Sequence, residues 1–140
     1  LCWRVRNGEF TGNEIYNNGR TGVSIGHKDT DNLFKDNLVY GNGRVGFLFR
    51  QETYKNSGHG CILRNNEIRD NGDVNEGYGI LLEPHVESIT IENNKIFDSR
   101  DVDSRTQAYG IYKQKDTGKI TVSDNEMSGH ITADFHDEAI

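Results

Sequence analysis

The chain has one proline, one methionine, one tryptophan and two cysteines in 140 residues, and only 33% of it is hydrophobic. Two cysteines are too few for a disulfide framework, so free thiols are expected at Cys2 and Cys61. No apolar run approaches the roughly 18 residues of a membrane span, and no signal peptide is present. Basic residues are the minority: 16 Lys and Arg against 22 Asp and Glu leave a net charge of −6, which argues against nucleic-acid binding. Leu is scarce at seven, whereas Gly and Asn reach 16 and 15. Both disfavour helix, Gly through backbone entropy and Asn by competing for its own backbone. Yet six Phe, six Tyr and regularly spaced Ile are more apolar matter than a disordered chain carries. The length suits one domain spanning residues 1–140, and the opening on Leu1 rather than Met predicts a longer parent.

An internal period organises what is there. Asn, any residue, then an apolar residue recurs as Asn13-Glu14-Ile15, Asn37-Leu38-Val39, Asn66-Glu67-Ile68, Asn94-Lys95-Ile96 and Asn125-Glu126-Met127. Between these lie short alternating segments opened by glycine: Gly22-Val23-Ser24-Ile25, Gly46-Phe47-Leu48-Phe49, Gly79-Ile80-Leu81-Leu82 and Gly110-Ile111-Tyr112-Lys113. A third strand pattern precedes the Asn, as in Ile89-Thr90-Ile91 and Ile120-Thr121-Val122. Leucine-rich repeats share part of this consensus but require a helix or 3₁₀ segment after the Asn. Here Tyr16-Asn17-Asn18-Gly19, Tyr40-Gly41-Asn42-Gly43 and Arg69-Asp70-Asn71-Gly72 are turns that lead straight into the next strand. The repeat is all-β.

From about Val5 to Val122 these residues resemble the right-handed parallel β-helix repeat family, the fold of pectate-lyase-like proteins. The resemblance implies a solenoid of about five coils, each contributing three short strands, with coils about 4.8 Å apart. Val23, Phe47, Ile80 and Ile111 then form one inward layer, Ile25, Phe49 and Leu82 another, and Ile15, Val39, Ile68, Ile96 and Met127 a third. Asn13, Asn37, Asn66, Asn94 and Asn125 are expected to stack as an asparagine ladder, amide on amide.

Function is sought where the coils differ. The step from Gly46 to Asn66 carries a five-residue insertion within Gln51–His59. The steps from Asn66 to Gly79 and from Asn94 to Gly110 carry insertions of four and seven, around Asp73–Gly77 and Asp101–Ala108. Loops on a solenoid gather on one face, often the binding face. Alternation turns Ser24, Leu48, Leu81 and Tyr112 outward on the Gly-led sheet, followed by Gly26, Arg50, Glu83 and Gln114. Leu48, Leu81 and Tyr112 are expected to form a platform for sugar rings, with Gln114 as a hydrogen-bonding neighbour; packing beneath a loop is the competing expectation. Tyr78 and Tyr109 precede two of the glycines in matching frame and are expected to stack.

Arg50 and Glu83 occupy equivalent places in adjacent coils, either as an exposed ion pair or as a substrate-facing pair. In the second reading Arg50 binds a uronate carboxylate and Glu83 handles a proton. Glu83-Pro84-His85 is similar to the Asp-Pro-His segment of mannuronan epimerases, with Glu for Asp and Val86 where an acid would follow. That makes His85 a third catalytic candidate beside its reading as a turn residue. Lys113 takes an inward frame position, unusual for a charge. Asp98, Asp101 and Asp103 are oxygen donors that could hold Ca²⁺, but Arg100 and Arg105 are interleaved with them, so no metal or other cofactor is expected. His130, His136, Asp134 and Asp137 read as a C-terminal cap.

The resemblance implies a carbohydrate-active protein acting on an extracellular or cell-surface polysaccharide, as a lyase or hydrolase. The alternative is a non-catalytic glycan-binding or surface structural repeat. Open coil ends predict end-to-end or edge association.

Overall fold

The computed structural model describes all 140 residues. Three parallel sheets of five strands run along one axis. The first contains β1 (Glu9–Thr11), β4 (Leu33–Lys35), β7 (Ile62–Arg64), β10 (Ile89–Glu92) and β13 (Ile120–Ser123). The second contains β2 (Glu14–Tyr16), β5 (Leu38–Tyr40), β8 (Glu67–Arg69), β11 (Lys95–Phe97) and β14 (Glu126–Ser128). The third, led by the glycines, contains β3 (Thr21–Ile25), β6 (Val45–Phe49), β9 (Tyr78–Leu82), β12 (Tyr109–Lys113) and β15 (Ala133–Asp137). Each strand pairs with its equivalents one coil away, giving five coils of three strands. Helix is limited to single 3₁₀ turns at Tyr54–Asn56 and Val102–Ser104, and none is long and apolar enough to cross a membrane.

The corners explain why Asn, Asp and Gly dominate. The residue before each ladder asparagine is left-handed: Gly12, Asp36, Asn65, Asn93 and Asp124, with φ between 55 and 69°. Those residue types enter that region at least cost. The corner leaving the third sheet repeats the device at Lys28, His85 and Asp116.

Inside, the three inward layers form one core that includes Val23, Phe47, Ile80, Ile111, Ile25, Phe49, Leu82, Val39, Ile68 and Ile96. Ile15 and Met127, in the outer coils, pack against it half-buried. Cys2 and Cys61 are both free and buried, and burial pushes the Cys61 thiol up to about 11.

The asparagine ladder runs through all five coils. Each backbone N–H and side-chain Nδ2 donates to Oδ1 of the asparagine in the next coil, from Asn13 to Asn37, Asn66, Asn94 and Asn125, all at 2.9–3.0 Å. The second Nδ2 proton goes to a first-sheet carbonyl: Phe10 for Asn37, Phe34 for Asn66, Leu63 for Asn94 and Ile91 for Asn125. Each interior amide thereby uses both donors and both acceptor positions, which is what its burial requires.

A second ladder lies at the entry to the third sheet. Asn18 donates to Asn42, Asn42 to Asn71, and Asn71 to Gln107, again through N–H and Nδ2 together. Beside this ladder the coils pack backbone on backbone at the glycines. A Cβ on Gly22 would lie 2.8 Å from Asn42 Nδ2, and one on Gly46 3.0 Å from Asn71 Nδ2 and 2.7 Å from the Gly79 carbonyl. On Gly79 it would meet the Gly110 carbonyl at 2.7 Å and Gln107 Nε2 at 3.3 Å. Glycine opens these strands because the carbonyl of the next coil's glycine, 2.7 Å from an added Cβ at each of the three, leaves no room for a side chain, with a ladder amide beside it.

Asn66→Ala removes the acceptor for Asn37 and the donor for the Phe34 carbonyl, and should cost about 2–3 kcal/mol by urea denaturation. Exposed Asp101→Ala should stay within about 0.5 kcal/mol; equal losses in the two variants would rule out an energetic role for the ladder. Gly79→Ala inserts a methyl into backbone and should cost about 1–3 kcal/mol by the same measurement.

Candidate functional site

The outer face of the third sheet carries the chain's densest aromatic group. Register aligns Ser24, Leu48, Leu81, Tyr112 and His136 in one outward row. A second row aligns Thr21, Val45, Tyr78, Tyr109 and Ala133. Tyr78 and Tyr109 stack at 5.8 Å between centroids, as their matching frame predicts. Tyr112 stands edge-on to both, at 5.3 and 4.7 Å, and His136 lies 4.8 Å from Tyr112. Arg44 covers Tyr78 from the neighbouring coil at 5.8 Å.

Leu48 and Leu81 are placed differently from the expected platform. Leu81 is fully buried and Leu48 nearly so, in a small cluster with Val45 that Tyr78 and Tyr112 pack against. Alternation does turn them outward, but the longer tyrosines of adjacent coils close over the shorter leucines. The accessible surface is therefore Tyr78, Tyr109, Tyr112 and His136, all half-buried, with Leu48 and Leu81 as its floor. Gln114, also half-buried, follows Tyr112 in the same coil.

The patch is edged by polar groups already engaged. Arg44 Nε donates to Glu76 Oε1 at 2.7 Å, and the Tyr112 hydroxyl donates to Glu138 Oε2 at 2.9 Å. Burial, then the Glu138 carboxylate, pushes the Tyr112 phenol up to about 12. The Asp73–Gly77 and Asp101–Ala108 loops enter this sheet immediately before Tyr78 and Tyr109. The Gln51–His59 insertion lies at the opposite strand ends, after β6.

Asp98 anchors the longest insertion. Its Oδ2 accepts from Arg100 Nη2 at 2.7 Å, Thr106 N at 3.0 Å and Gln107 N at 2.9 Å, while Oδ1 accepts from Arg100 Nε at 2.9 Å. Burial alone would raise this carboxyl; the Arg100 guanidinium and the Gln107, Thr106 and Arg100 amides outweigh it and hold it far below the usual carboxylate range. Asp101 and Asp103 are exposed, and these acids are not grouped closely enough to hold a metal ion together.

The three residues proposed for catalysis are each tied into the scaffold. Arg50 and Glu83 do occupy equivalent places, but they do not pair. Arg50 turns toward the first coil, donating from Nη1 to Ser24 Oγ at 2.6 Å and from Nη2 to the Cys2 carbonyl at 3.2 Å. Glu83 Oε2 accepts from Gln51 N at 2.7 Å and so holds the start of the Gln51–His59 loop. His85 sits at a left-handed corner, φ 74°, with Nδ1 2.7 Å from the Glu52 carbonyl. Lys113 shares the inward register of Phe49 and Leu82, yet its amine reaches Asp137 Oδ2 at 3.3 Å. Arg50, Glu83 and His85 are thus held by hydroxyl and backbone groups, and Lys113 by the Asp137 carboxylate of the next coil.

Sequence reasoning did not find the second ladder. Its signal was the Asn before each strand-leading turn: Asn18, Asn42 and Asn71 sit four residues before Gly22, four before Gly46 and eight before Gly79. A hollow of about 320 Å³ also opens in the first coil, between Phe10, Ile15, Val23 and Phe34.

Compared with known protein families, the chain matches the family described as right handed beta helix region, over residues 2–132. No curated protein and no solved structure matches the chain.

Asp98 gives a pH signature. Its folded carboxyl is depressed, so its contribution to stability is complete above about pH 5 and is lost as pH falls below the unfolded value of about 3.9. Asp98→Asn should be less stable than wild type at neutral pH, and the gap should narrow in acid. A constant gap across urea titrations between about pH 7 and about pH 2.5 would contradict this assignment.

Proposed function

We propose that this chain, which belongs to the right-handed beta-helix family, is a non-catalytic polysaccharide-binding solenoid that works outside the cell. The observation that carries the reading is the patch of Tyr78, Tyr109, Tyr112 and His136 on the third sheet. Rigid aromatic rings cover the apolar faces of sugars at low entropic cost, and their polar tips reach sugar hydroxyls. Two loops, Asp73–Gly77 and Asp101–Ala108, lead into the same two tyrosine strands and give the patch an edge. The residues considered for catalysis lie at the far strand ends, which favours binding over chemistry at this patch. Arg50 donates to Ser24 and the Cys2 carbonyl, Glu83 Oε2 accepts from Gln51 N–H and His85 Nδ1 faces the Glu52 carbonyl, so all three are engaged with the chain itself rather than gathered at the rings.

The test is titration with a panel of soluble neutral and uronate-bearing polysaccharides, with product analysis alongside. Tyr109→Ala and Tyr112→Ala should each weaken binding about tenfold, a loss of about 1.4 kcal/mol. Arg50→Ala, away from the rings, should leave affinity within about twofold. Unchanged binding in both tyrosine variants, or no binding to any polysaccharide, would end this reading. Unsaturated products or new reducing ends that vanish in Glu83→Gln would establish the lyase or hydrolase alternative instead.

A further inference from the structure

The second ladder ends on a side chain that can change its proton count. Its first four rungs are the amides of Asn18, Asn42, Asn71 and Gln107; its fifth is His130. Gln107 Oε1 is committed to Asn71, accepting from its backbone N and Nδ2 at 3.1 and 3.0 Å. Gln107 Nε2 therefore faces the Phe97 carbonyl at 3.2 Å and His130 Nε2 at 3.1 Å. An amide nitrogen only donates, so His130 Nε2 must accept. The ring proton then belongs on Nδ1, which lies 2.7 Å from Asp134 Oδ1.

Neither partner has room to adapt. Turning the Gln107 amide round would set its Nε2 against both donors of Asn71 and leave them without an acceptor. The imidazole is 1% exposed, and it packs so closely over Gly110 that a Cβ there would lie 2.9 Å from its Cε1.

We propose that His130 is a proton-sensitive last rung of this ladder. A second ring proton sets N–H against NH₂ at the Gln107 contact and releases the fifth coil, with β15, from the fourth. The facing charges are few. Asp134 on β15 attracts a charged ring, but it is 53% exposed and screened by water. Across the coil Asp98 stands behind Gln107, accepting its backbone N–H, and is paired with Arg100. β12 offers only Gly110 at the contact. Elsewhere on β15, Asp137 pairs with Lys113, and His136 packs on Tyr109 and Tyr112. Release of β15 would thus uncover one side of the tyrosine patch, but the proposal rests on the ladder alone and not on any ligand.

Two measurements test it. Histidine nitrogen NMR at about pH 7.5 should find His130 as the Nδ1–H tautomer. Amide exchange, corrected for intrinsic chemistry, should lose protection in Ala133–Asp137 about tenfold relative to Tyr78–Leu82 between about pH 7.5 and about pH 5. His130→Asn, which supplies an amide rung, should abolish that relative loss, and His136→Gln should retain it. An Nε2–H tautomer in the wild type overturns the proposal, even if His130→Asn fails to fold. So does a wild type without the relative loss, or a loss that persists in His130→Asn.

Discussion

The fold depends on a hydrogen bond made twice at each rung: a backbone N–H and a side-chain Nδ2 of one asparagine, both donated to Oδ1 of the next. The backbone partner makes the arrangement more than a stack of amides. A side chain could be turned over; a peptide N–H cannot. Each Oδ1 must point toward the preceding coil, so every rung has one orientation, and the strands that flank it have one register. A slip of one residue between coils would break two bonds at a buried site and turn a layer of core side chains outward.

That constraint accounts for the odd composition. The interior is narrow, and a large part of it is amide, so a chain with one-third hydrophobic residues still buries Phe34, Phe47 and Phe49 completely. The corners demand left-handed residues at fixed places, which Asn, Asp and Gly supply. Close approach of successive coils, carbonyl first and ladder amide second, demands glycine at Gly22, Gly46 and Gly79 independently of backbone conformation. Low hydrophobicity and high Asn and Gly are thus consequences of one geometry.

The first ladder was legible in the sequence because its rungs never change type: Asn13, Asn37, Asn66, Asn94 and Asn125 keep one motif through every insertion. The inward layers were legible for the same reason, since alternation from a fixed glycine needs no knowledge of neighbours. The second ladder was hidden because its rungs vary, from Asn to Gln107 to His130, and because two insertions fall between its rungs and the glycines they press upon. Leu48 and Leu81 were assigned to the correct face but not to the correct depth. Depth depends on the size of side chains one coil away, here Tyr78 and Tyr112, and a period says nothing of size. Arg50 and Glu83 were assigned to adjacent coils correctly, yet a long side chain chooses among all partners in reach: Arg50 donates to Ser24 Oγ and the Cys2 carbonyl, and Glu83 accepts from Gln51 N–H.

Gln107 also links the loops to the interior. It follows the seven-residue insertion, receives the Asn71 amide on one side and touches His130 on the other, while its own N–H is held by Asp98. Asp98 at the same time fixes Arg100 and Thr106 in the loop that leads to Tyr109. The rim of the patch and the core of the solenoid therefore share a single set of hydrogen bonds. A loop anchored in this way keeps its shape without a hydrophobic core of its own, and it needs no ligand to order it. A face whose tyrosines are packed on a buried floor and whose edges are fixed from inside is held by the same interactions that hold the solenoid together.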